Sequence, residues 1–275
     1  MKVKQFSKVL KHDLIEGITD NLPKYIIVFL LFLFTCGMFL SNISSLETKG
    51  SILDFAIYIY KGMEVYVYSP DNHFRLPMIW LMTQVLVAFL IIGYPNKDMY
   101  TYGVQVLVRT KRKLLWWTAK CIWNAVSVII FYAVGFLTIF LFALTFGKVS
   151  FQANDALNIA GNQIDTSNIN YFSLVFAVFF LPVITSVALS LFQMALSYII
   201  KPIFSYMIII ILSVASAFYC SPFLIGNYSM LLRNNIAFPD GISNKSAVMG
   251  NVLLIIISFL IGGIYLSRCD ILKKN

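Results

Sequence analysis

Charge is what this chain has least of. Charged residues make up 12% of its 275 positions and hydrophobic ones 59%, whereas a soluble domain is roughly a quarter charged. A small water-soluble fold leaves too much surface exposed to hide that much apolar area; a bilayer hides it. Paired thiols are also missing. Cys36, Cys121, Cys220 and Cys269 stand alone with no C-x-x-C pair, so nothing suggests a clustered thiolate centre, and they read as small apolar helix residues. His12 and His73 lie far apart and have no partner motif. The chain lacks a phosphate-cradling G-x-x-x-x-G-K-[ST]: its one Gly-Lys, Gly147-Lys148, has Phe142 where the first glycine belongs. No paired carboxylates, histidine cluster or nucleophile motif marks an enzyme.

What is present are long apolar runs. A spanning helix needs about 20 largely apolar residues, and six runs qualify: Tyr25–Ile43, Met78–Gly93, Cys121–Phe146, Phe172–Ile200, Ile203–Cys220 and Val252–Leu266. The expected fold is an all-α integral membrane protein with six transmembrane helices, forming a single domain over residues 1–275. None of the six apolar cores contains Asp, Glu, Lys, Arg or His, which disfavours a proton-coupled or ion-coupled carrier. Lys201-Pro202 separates the fourth run from the fifth, and Pro182 should kink the fourth. The first run follows acidic residues and lacks a small-residue cleavage site, so it is expected to be an uncleaved anchor.

Basic residues set the orientation. Lys2, Lys4, Lys8, Lys11, Lys24, Lys97, Arg109, Lys111, Arg112, Lys113, Lys120, Lys201, Arg268, Lys273 and Lys274 fall on one side. Lys49, Lys61, Arg75, Lys148, Arg233 and Lys245 fall on the other. The split places both termini and the 94–120 connection in the cytoplasm. It also accounts for much of the +9 net charge, so no nucleic-acid partner is needed.

Two cytoplasmic elements carry further information. In residues 1–22, Val3, Phe6, Leu10, Leu14 and Ile18 recur at helical spacing, with Lys4, Lys8 and Lys11 off the stripe. This predicts an amphipathic interfacial helix with its lysines toward anionic lipid; a frayed basic tail is the plainer alternative. In residues 94–120, Asp98 is placed to cap a helix that runs on from Met99 through Val108, ahead of Arg109-Thr110-Lys111-Arg112-Lys113 and an interfacial Trp116-Trp117. Met99, Tyr102, Val106 and Leu107 make that helix too apolar for a tether, and such a face suits a cytoplasmic partner.

The outer connections are less constrained. Residues 44–76 alternate around Lys61-Gly62, as a hairpin would, while Ser51–Tyr60 suits a short amphipathic helix equally well. Residues 147–170 read as an exposed loop. Residues 221–249 are expected outside the cell, and their start, Pro222-Phe223-Leu224-Ile225-Gly226, is apolar enough to dip back as a re-entrant segment.

The element order, the segment Gly103-Val104-Gln105-Val106-Leu107-Val108-Arg109-Thr110, the following Trp116-Trp117-Thr118-Ala119-Lys120, and Gly226-Asn227-Tyr228-Ser229-Met230 with Arg233 together resemble the permease subunits of bacterial ABC transporters of the ABC-2 type. Ser267-Arg268-Cys269-Asp270-Ile271-Leu272 closes the chain in the same manner. The likeness runs along the whole chain and is nearest to Gram-positive exporters of bacteriocins, lantibiotics and phenol-soluble modulins. It implies a multi-pass subunit of the bacterial plasma membrane, paired with a second permease copy or paralogue and with a separate ABC ATPase that holds ATP and Mg. This chain itself would bind no cofactor. The implied cargo is a hydrophobic or amphipathic peptide, with small lipophilic drugs as an alternative; an ion-coupled secondary transporter or a non-transporting immunity or scaffold protein are the competing functions. The coupling helix would use Met99, Tyr100, Tyr102, Gly103, Gln105, Val106, Leu107, Arg109 and Thr110. The substrate path would use Thr83, Gln84, Ser205, Tyr206, Ser213 and Ser216, although each of these also suits plain helix packing.

Replacing Leu107 with Asp is expected to leave the membrane helices folded while abolishing ATPase association, because a charge enters the expected docking face. Normal complex formation on size-exclusion chromatography would refute the coupling-helix assignment.

Overall fold

The computed structural model describes residues 2–44, 48–66, 74–101, 103–104, 113–154 and 169–268. Helix α1 runs unbroken from Lys2–Ile43 with Pro23 inside it, and α2 covers Ile52–Tyr60. Then come α3 (Met78–Ile91), α4 (Tyr94–Tyr100) and α5 (Lys113–Phe146). The last three are α6 (Tyr171–Ile199), α7 (Pro202–Phe218) and α8 (Asn244–Arg268). Among the described residues five helical stretches are long and apolar enough to cross a membrane, namely α1, α3 with α4 (Met78–Met99), α5, α6 and α8, while α7 is a shorter apolar helix. The fold is that of a multi-pass helical membrane protein.

The N-terminal segment differs from a separate interfacial helix. Residues 2–22 continue straight into the first apolar run, and the face they turn to the bundle is Val9, Asp13, Gly17 and Asn21. Phe6, Leu10, Leu14 and Ile18 pack at the edge of the core, while Lys8 and Lys11 are exposed. The buried ladder continues in register through Tyr25, Val28 and Phe32. It lies along α5, which runs parallel to α1: Gly17 meets Trp123, the Tyr25 hydroxyl donates to the Ser127 carbonyl at 3.2 Å, and Phe32 sits over Gly135. The glycines are needed because a Cβ at either would collide with the facing ring.

Of the two readings for residues 44–76, the one adopted is the short helix over Ser51–Tyr60. Ser51 and Asp54 form a capping box that starts α2, and all nine residues of the helix are buried. A helix that is apolar apart from one hydrogen-bonded carboxylate is stable only when surrounded; Phe39, Tyr132 and Phe142 supply part of that surround. The kink expected at Pro182 takes the form of a π-helical turn, Phe176–Phe180, immediately before it. Proline has no N–H to close the usual α-helical bond, and a π turn shifts the local pairing by one residue.

Residues 225–233 fold into the bundle as two short 3-10 turns, Ile225–Ser229 and Leu231–Arg233, buried from Gly226 onward. Arg233 lies in their midst, fully buried. It donates from Nη2 to the Ala217 carbonyl at 2.8 Å and from Nε to the Met63 carbonyl at 3.0 Å. Ala217 is in the last turn of α7, whose carbonyls lack helical partners and attract a cation.

Gly17→Ala is expected to destabilise the detergent-solubilised protein by about 1–3 kcal/mol through collision with Trp123, read as a lower melting temperature. Gly37→Ala, where an added methyl meets nothing within 4 Å, should not lower it, since alanine is the better residue inside a helix.

Candidate functional site

The principal polar site lies where the expected coupling segment joins the bundle. Lys120, in the second turn of α5, is fully buried. Its ammonium pairs with Asp13 Oδ1 of α1 and with Asp98 Oδ2 of α4, both at 2.6 Å. Trp116 Nε1 donates to Asp98 Oδ2 at 3.2 Å, and the Tyr94 hydroxyl donates to Asp13 Oδ1 at 3.2 Å. The same two rings flank the ammonium, with centroids 4.4 Å away for Tyr94 and 5.2 Å for Trp116. His12 Nε2 is 4.0 Å from Asp98 Oδ1.

Local sequence explains each placement. Asp13 occupies the buried face of α1 one turn from Val9 and one from Gly17, so the helix has no choice but to carry it inward. Pro95 in the first turn of α4 starts that helix where a missing N–H is harmless. Trp116 and Lys120 are four apart on α5 and therefore share a face. Gly103 completes the floor: a Cβ there would meet the Asp98 carbonyl oxygen at 2.7 Å and Trp116 Nε1 at 3.0 Å.

The electrostatics are unbalanced. Two carboxylates face one ammonium, with an imidazole at the edge. Among the described residues Asp13 Oδ2 has no hydrogen-bond partner. Charges removed from water are tolerated only when paired and hydrogen-bonded, so each partner here is held by the others. Two further contacts fasten α4. Lys97 pairs with Asp20 at 2.7 Å on the exposed side, and Asn96 Nδ2 donates to Ser197 Oγ at 3.0 Å at the end of α6.

Several sequence expectations meet this geometry. Asp98 does not start a helix at Met99; it sits within α4, its carboxylate committed to Lys120 and Trp116. Met99 is buried against the core and Gly103 against Asp98 and Trp116. Tyr100 ends α4, but its side chain lies outside the described residues, as do Tyr102, Gln105, Val106, Leu107, Arg109 and Thr110. In the sequence Lys120 reads as a topology-setting charge and Asp13 as one of the acidic residues ahead of the first apolar run; the structure brings both into the site. The signal for Asp13 was available in the Val9-Asp13-Gly17-Asn21-Tyr25 spacing, which continues the buried face of the first apolar run.

The six substrate-path residues do not form one cluster. Thr83, Ser205, Ser213 and Ser216 return their hydroxyls to carbonyls of their own helices. Tyr206 is half-buried beside Ala88, Leu189 and Ile209. Gln84 alone reaches across helices. Its Nε2 donates to Ser229 Oγ at 3.4 Å and its Oε1 accepts from Ser186 Oγ at 3.5 Å, and Ser186 in turn pairs with the Tyr132 hydroxyl at 2.8 Å. Trp80 Nε1 also donates to Ser229 Oγ, at 3.0 Å. A neutral polar chain thus crosses the core from Tyr132 to Trp80. Tyr60 of α2 packs beside it, ring centroids 5.9 Å from Tyr132, and burial holds its phenol well above the ordinary range. Among the described residues no group of three or more His, Cys, Asp or Glu is placed to hold a metal ion.

A family model described as "Protein of unknown function (DUF2705)" matches residues 26–272. The chain belongs to the DUF2705 family. No curated protein and no solved structure matches it. The DUF2705 match covers α1 from Ile26 onward and every later helix, including Asp98 and Lys120, while Asp13 precedes it.

Lys120→Met is expected to destabilise this DUF2705 protein by about 3–5 kcal/mol, because it leaves two buried carboxylates uncompensated. Adding Asp13→Asn and Asp98→Asn to that variant should recover a substantial part. A thermal-melting series in detergent measures both; equal stability of wild type and Lys120→Met would contradict the pairing.

Proposed function

We propose that this chain is the six-span membrane subunit of an ATP-driven ABC exporter, with its energy supplied by a separate ATPase. The observation that carries the proposal is the Asp13–Lys120–Asp98 pairing. It ties α4, at the head of the 94–120 connection, to two long helices at once. A push on that connection is then delivered to α1 and α5 instead of being absorbed by a slack loop. The absence of a phosphate-binding loop, the basic bias of this end, and the sequence resemblance to ABC-2 permeases support the same reading. At 17 residues, α7 is about 26 Å long, sufficient for a sixth span in a slightly thinned bilayer. The buried turns at 225–233 act as the re-entrant closure of the opposite end. A hydrophobic or amphipathic peptide suits a bundle that, between the Lys120 cluster at one end and Arg233 at the other, is lined by apolar side chains, amides and hydroxyls. A second permease copy completes the path.

One observation favours a second reading, an ion-coupled carrier. The surplus carboxylate at Asp13 is the kind of buried ionisable group that the apolar cores lack, and such groups serve as coupling sites in carriers. The readings separate in proteoliposomes. Export by the full chain should require a co-purified ATPase with MgATP and should stop with a non-hydrolysable nucleotide. Uptake or export driven by a proton gradient without any ATPase would overturn the exporter proposal in favour of the carrier.

A further inference from the structure

A groove of about 290 Å³ opens on the outer surface between α5 and α8. Its walls are Leu114, Phe259, Leu260 and Ile264, and Gly263 forms its floor. Three of the walls, Leu114, Leu260 and Ile264, are more than half exposed. Its open end carries Arg268, which is exposed, and Ser267. The Lys113 ammonium donates to the Ser267 carbonyl at 3.3 Å and so stands at the same rim. Among the described residues no acidic side chain lines the groove.

These features select one occupant. A groove on the apolar flank of a membrane helix pair is in contact with lipid chains by default. What distinguishes this one is the pair of cations at its rim, at the height where the apolar walls end. Basic pockets between membrane helices hold anionic headgroups. We propose that the α5–α8 groove is a binding site for an anionic phospholipid, with one acyl chain on Gly263 and the phosphodiester between Lys113 and Arg268. Gly263 matters because the chain lies where a side chain would project. An added Cβ there meets Leu114 Cδ2 at 3.3 Å, and its nearest Trp117 atom is at 3.5 Å, so a larger residue fills the groove without invading the helix packing beneath. The site is independent of whether the protein is an exporter or a carrier. It would fasten the start of α5 at Lys113, seven residues before Lys120, to the lipid of one leaflet.

The test is native mass spectrometry of the full chain released from detergent containing equal phosphatidylglycerol and phosphatidylcholine. Wild type should retain phosphatidylglycerol with about tenfold preference or more, since each surface cation contributes on the order of 1 kcal/mol toward an anionic headgroup. Lys113→Gln with Arg268→Gln should erase the preference while phosphatidylcholine retention persists. Gly263→Leu should lower retention of both lipids. Lys245→Gln, at the other end of α8, should change nothing. Equal retention of the two lipids by wild type, or an unchanged preference in the double variant, overturns the proposal. So does a Gly263→Leu protein that loses a dimer yet keeps its lipid, which would assign the groove to a second copy. None of these outcomes depends on transport.

Discussion

An ammonium buried between two carboxylates organises one whole end of this protein. Lys120 cannot lie in an apolar interior alone, because the desolvation penalty of an unpaired charge exceeds what packing around it returns. Asp13 and Asp98 are under the same constraint. Three segments distant in sequence are therefore compelled to meet, and Tyr94 and Trp116 complete the enclosure with one hydrogen bond each and their ring faces. The geometry of α4 follows from this. Its own helix is only seven residues long, too short to persist by itself, and it is held in place by charge, by Asn96 and by Lys97.

The opposite end is secured by different chemistry. Arg233 is as buried as Lys120, but it donates to main-chain carbonyls, one at the end of α7 and one beyond α2. Guanidinium suits this role because several donors diverge from one plane and the group stays charged. Around it Gly62, at φ +69°, lets Met230 pack directly on the backbone. Between the two clamps the polar chain from Tyr132 through Ser186, Gln84 and Ser229 to Trp80 is uncharged. An apolar bundle with ionic closure at one end and a carbonyl-bound arginine at the other can tilt its helices without moving a charge through its middle.

Much of the architecture was legible because it depends on local rules. The apolar runs marked the ends of the long helices to within a few residues but not the starts of α1, α5 and α8, which begin well before them at Lys2, Lys113 and Asn244; Ser51–Tyr60 suited a helix as well as a hairpin, and Pro182 announced a disturbance in the fourth run. The face of residues 1–22 was not legible by hydrophobicity. Phe6, Leu10 and Leu14 formed the more apolar stripe, yet Val9, Asp13, Gly17 and Asn21 face inward. A lysine on another helix makes the aspartate welcome there, and a tryptophan fills the space the glycine leaves. The same reason hid Lys120, which on charge alone looked like one more topology signal.

Composition and periodicity by themselves determined that this is a helical membrane protein, where its long helices lie, and which end is basic. Each of these follows from how a residue interacts with solvent or with neighbours one turn away. The tertiary structure alone decided that Asp13, Asp98 and Lys120 form one site, that α2 and residues 225–233 are buried within the bundle, and that the serines of α7 satisfy their own helix while Gln84 bridges between helices. These outcomes depend on which side chain arrives opposite which, and a buried charge or amide reveals its purpose only when its partner is in place.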